Sequence, residues 1–157
     1  MYFWRIEKLK TSMAAAPLTE REVLPYLVAS IIAIYIALGL TQHTPITSFW
    51  DDISSFCEML FAVIGTIYIY RKNNGKNGQH FLQRYIAINW VVSVRMFVGA
   101  LITYYILQEI LSAVYVNEEN SALIDFIYFF IINVILYWRI GHHVHDLAQK
   151  NMTQENI

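Results

Sequence analysis

Apolar positions fall into four long runs, residues 23–40, 53–70, 85 to about 111 and 122–140, separated by short polar stretches. A helix that crosses a bilayer needs roughly 17–25 such residues, and each run meets that length. The runs are continuous rather than alternating, and each is too long for a barrel strand, so strands are not expected. The pattern predicts an all-α, polytopic membrane protein of four antiparallel transmembrane helices. They would form one four-helix bundle over residues 1–157, with residues 141–157 as a polar tail.

Local signals mark the ends of these runs. Thr19-Glu20-Arg21-Glu22 reads as a capping box, with Leu18 and Val23 placed as its hydrophobic staple. Asn73-Asn74-Gly75-Lys76-Asn77-Gly78 is a polar turn expected to hold the second and third spans as antiparallel neighbours. Before the first run, Tyr2, Phe3, Ile6, Leu9 and Met13 recur at helical spacing opposite Arg5, Lys8 and Lys10, whose cations are expected among anionic headgroups. Residues 1–16 are therefore expected to form an amphipathic helix lying on the membrane interface, its apolar face among acyl chains. The other use of such a helix is to dock a soluble partner.

Composition narrows the class further. The chain is 57% apolar and 15% charged, where a soluble domain carries about 45–50% and 25%. Its net charge of −1 gives no basic excess for nucleic acid, and the single Cys57 allows no disulfide framework. Of eleven Lys and Arg residues, ten flank the same ends of the runs: Arg5, Lys8, Lys10 and Arg21, then Arg71, Lys72, Lys76 and Arg84, then Arg139 and Lys150. The intervening loops carry Asp51, Asp52, Glu118 and Glu119 and no cation. Positive charge stays on the cytoplasmic side, so both termini are expected there. A bacterial inner membrane is the expected setting, with the lipid bilayer as the first partner.

Only a few ionisable groups lie at membrane depth, where they are costly and face protein or water. Glu58 and Arg95, the latter the eleventh cation, stand roughly 18 Å and 15 Å from the basic ends of their runs at 1.5 Å per residue. Opposite charge, similar height and a short connecting turn predict an intramembrane ion pair. Its roles are a structural bridge between two helices or a gate in an ion or proton path. Ser30, Asn89 and Asn133 form a candidate polar layer below it, bonding between helices. Ala29, Ala33 and Ala37, together with Ala62, Gly65 and Gly99, are the candidate small-residue packing faces.

If the last helix continues past residue 140, His142, His145 and Asp146 share a face at a spacing able to hold a metal. No second cysteine or His-Glu-x-x-His pattern supports that site, and no cofactor is expected. Phosphate-binding glycine loops and nucleophile elbows are also absent from the sequence. These features point away from an enzyme and toward a small membrane protein that associates with itself or with a membrane-protein partner, as a scaffold or accessory subunit. The alternatives are an oligomeric channel or small transporter built on Glu58 and Arg95, and an enzyme or metal site at the cytoplasmic rim.

Overall fold

Long apolar runs become helices because a helix satisfies its own backbone, the one solution open to a single segment in lipid besides a closed barrel. A computed structural model describes residues 2, 4–41, 49–114 and 118–155, and every regular element among them is helical. The elements are α1 (Ile6–Ala15), α2 (Glu20–Thr41), α3 (Phe49–Lys72), α4 (Phe81–Ala113) and α5 (Glu118–Glu155). A single 3-10 turn, Gly75–Asn77, lies between α3 and α4. Phe3 and the expected polar connections over 42–48 and 115–117 fall outside the described residues.

Three segments among these residues are long and apolar enough to cross a membrane: Asp52–Lys72, Phe81–Ala113 and Asn120–Lys150. These are the dimensions of an integral membrane protein. At 38 residues α5 is roughly 57 Å long, nearly twice the ~30 Å hydrocarbon core. It continues through the expected polar tail to Glu155, so that tail is helical for most of its length.

The expected bundle of sequential antiparallel neighbours is corrected by the packing. The helices stand in a row, α2 against α4, α4 against α5 and α5 against α3, and α1 lies on α4 and α5. Sequential neighbours α3 and α4 meet only near their connecting turn, where Tyr70 packs on Phe81 and the Thr66 and Tyr85 hydroxyls lie 3.4 Å apart. The reason is a reciprocal fit between α3 and α5. The Tyr137 ring of α5 occupies the space a side chain at Gly65 would need, and the Tyr68 ring of α3 does the same at Gly141. Phe61 on Phe130, Trp50 on Phe126 and His145 on the Lys72 carbonyl extend this seam in rising order, so α3 and α5 run parallel. Against α4, α5 runs antiparallel: Gln108 donates to Asp125 at 2.8 Å, and the Tyr128 hydroxyl donates to the Ala100 carbonyl at 2.7 Å.

The core sits at the basic end. Its buried side chains come from α1 (Ile6, Leu9, Met13), Leu18 just before α2 and Val23 and Tyr26 at its start, and the adjoining ends of α3, α4 and α5. Away from that end the helices expose apolar side chains such as Ile34, Phe56, Phe97 and Ile131, as lipid-facing surfaces do. The apolar face of α1, expected among acyl chains, is instead covered by α4 and α5. Protein wins there because the three apolar residues of α1 find a ready apolar surface on the helix ends.

Two local devices hold this end together. Glu22 accepts from the Thr19 N–H at 2.9 Å and from its hydroxyl at 2.8 Å, which starts α2 as the sequence predicts, with Leu18 and Val23 both buried. Between α3 and α4, fully buried Asn73 accepts from Arg84 at 2.9 Å and donates to the Gln79 carbonyl at 3.3 Å. Gly78 is required in this turn, because a Cβ there would overlap the Asn73 carbonyl.

Candidate functional site

Glu58 and Arg95 are not brought together. Arg95 is exposed on α4, its guanidinium carbon 5.9 Å from the centre of the Trp4 ring, a cation–π contact. Glu58 opens onto a cleft between α3 and α5. With α5 between them, α3 and α4 are splayed at this depth, which keeps the two charges apart. Their heights differ as well. Tyr128, beside that cleft on α5, bonds Ala100, and Arg95 lies five residues, about 7–8 Å, nearer the basic end.

The expected polar layer turns inward on its own helices. Ser30 donates to the Tyr26 carbonyl at 2.8 Å and Asn133 to the Phe129 carbonyl at 3.0 Å, while Asn89 accepts from Ser93 at 3.4 Å. Each is a contact to a residue four positions away, the nearest on a helix, where the row of helices offers no facing partner. Bonds between helices come instead from Gln108–Asp125 and from Tyr128, whose hydroxyl lies 2.6 Å from Thr103. Sequence reasoning missed both, although Asp125 at the start of an apolar run is the signal that marks one of them.

Small residues serve different surfaces. Gly65 is buried against Tyr137, whereas a Cβ at Gly99 would meet nothing within 4 Å. Ala62, Ala33 and Ala37 are exposed, and Ala29 is half-buried.

At the basic rim, His142, His145 and Asp146 do follow one another along a continuous helix, yet they do not converge. His145 turns to the Lys72 carbonyl at 3.4 Å and to Gln149 at 3.0 Å, while Asp146 takes Lys10 at 3.0 Å. His142 lies 3.8 Å from Asp146 and stacks on Trp138. No group of three His, Cys, Asp or Glu residues among the described residues is placed to hold a metal ion. Lys10, expected among headgroups with Arg5 and Lys8, is instead buried and held between Asp146 and Glu7, because α1 docks on α5 rather than on lipid.

The most site-like feature is the cleft at Glu58. Ser54 and Glu58 from α3 and Asn133 from α5 supply its oxygens, and Phe61, Phe126, Phe129 and Phe130 form its walls. Its free space matches about one water molecule. Glu58 makes no hydrogen bond or ion pair among the described residues. No family model, curated protein or solved structure matches the chain.

Proposed function

We propose that this chain is a small four-span membrane protein that works by helix-mediated association, with a second copy or with a membrane-protein partner, as a scaffold or accessory subunit. In this reading α2 is the fourth span, since residues 23–40 carry no charge. Both termini face the cytoplasm of a bacterial inner membrane, with α1 at the membrane surface, because ten of the eleven cations gather at one end.

One observation carries the association. Arg95 stands on an exposed face of α4, within the segment Phe81–Ala113, one turn from Gly99, where a side chain would meet open space. The Trp4 ring covers part of the Arg95 charge but supplies no counter-ion, and lipid adds none and gains nothing from a glycine, whereas a partner helix can pair the first and approach closely at the second. The channel reading drew on a Glu58–Arg95 pair and loses that support within a single chain.

Mass measurement of the protein in nanodiscs tests the proposal. The wild type is expected as a dimer or larger assembly, or in complex with one membrane protein retained from its native membrane. Gly99→Leu is expected to release a folded monomer. A wild type that stays monomeric and partner-free at every protein-to-lipid ratio overturns it.

A further inference from the structure

Beyond association, the cleft at Glu58 has the makings of a ligand site. Its carboxylate stands within a span and has no partner in the chain among the described residues, and such a group calls for a cation. Two further oxygens share the cleft. Asn133 spends its Nδ2 on the Phe129 carbonyl at 3.0 Å, which leaves its Oδ1 as an acceptor, and the Ser54 hydroxyl makes no bond among the described residues. Three acceptors match the three N–H donors of a primary ammonium.

The walls and the size select among cations. Phenylalanine faces attract an organic cation through their ring quadrupoles but cannot replace the water shell of a metal ion. One carboxylate and two neutral oxygens make a weak metal set. Free space for about one water suits a small ammonium head better than a bulkier quaternary one. The exposed apolar side chains beside it on α3, Phe56 and Met59 among them, give an alkyl tail a surface along which to leave the cleft for the lipid.

We propose that the cleft between α3 and α5 binds the primary ammonium head of a lipophilic amine, with Ser54, Glu58 and Asn133 accepting its N–H groups and phenylalanines holding its first carbons. The amine arrives from within the bilayer. This proposal does not rest on association, since every group in it belongs to one chain.

The test is equilibrium binding of radiolabelled dodecylammonium to the full chain in phosphatidylcholine nanodiscs, with protein-free nanodiscs as the partition control. Saturable binding above the control is expected, and unlabelled dodecyltrimethylammonium or dodecanol should compete at least about tenfold more weakly, as the loss of charge-assisted hydrogen bonds requires. Glu58→Gln is expected to weaken binding by a similar factor, and Asn133→Leu by a smaller one. The competition series uses the wild type alone, so it stands even if a variant fails to fold. Uptake no greater than the control, or equal competition by the quaternary amine, overturns the proposal. So does binding only after an assembled wild type is dissociated, which would assign the cleft to a protein partner. Mass measurement on the same nanodiscs reports association separately, so either idea can fail alone.

Discussion

Lys10 and Asp146, 136 positions apart in the chain, meet at 3.0 Å, and Lys10 is almost fully buried where they do. This contact joins α1 to the far end of α5, and Glu7 adds a second carboxylate at 3.3 Å. A buried cation with its partners removed is far costlier than an apolar side chain in the same place. Asp146→Ala is therefore expected to destabilise the docked α1 by about 3 kcal/mol, near the lower figure for breaking such pairs because Asp146 keeps some solvent contact. Lys10→Met, which removes the charge and keeps the volume, is expected to be near neutral. Limited proteolysis at Arg5 and Lys8 reads the difference: rapid cleavage in the first variant, wild-type resistance in the second.

The seam between α3 and α5 depends on glycines facing tyrosines. Gly65→Ala places a methyl group in the Tyr137 ring and is expected to cost about 1–3 kcal/mol, the usual penalty for overpacking a fitted contact. Pairing it with Tyr137→Leu should recover part of that loss. Unfolding in mixed detergent gives the four values of the cycle, and strict additivity would remove Gly65 and Tyr137 as a fitted pair.

Acid should loosen the start of α2. The backbone N–H and then the hydroxyl of Thr19 hold the Glu22 carboxyl below its ordinary value of 4.5. A group whose value is lowered on folding contributes stability above the unfolded value, and that contribution is lost as the pH falls through the lower folded one. Helicity at the first turn of α2, followed by amide exchange at Glu22 and Val23, is expected to fall across that acid window in the wild type. Glu22→Gln should show a flat profile there.

The sequence makes the spans legible because length and continuous hydropathy are properties of single segments. The capping box at Thr19 and Glu22 is legible for the same reason, being complete within four residues. Neighbour relations are not. Counting rise along each span puts Glu58 and Arg95 at nearly equal heights, but it assumes that a short turn makes α3 and α4 packing partners. The choice of α5 instead lies in where Tyr137 meets Gly65 and Tyr68 meets Gly141, contacts more than seventy residues apart. The face of α1 was readable as apolar from Ile6, Leu9 and Met13. Whether protein or lipid covers such a face depends on the surface that α4 and α5 present. Lys10 reads in the sequence as a headgroup-facing cation because a lysine beside an apolar stripe ordinarily reaches back to solvent.

The position of α5 bears on the order in which the protein is made. The ribosome delivers α1 to α4 before α5, yet α3 and α4 have little to hold each other beyond their turn, and α1 has one of its two packing partners in a helix still to come. A chain halted before residue 118 would leave α3 without its main partner and α1 covered on one side only. Assembly of this row of helices therefore waits on α5, and the packing between α3 and α4 is settled by an element made after both.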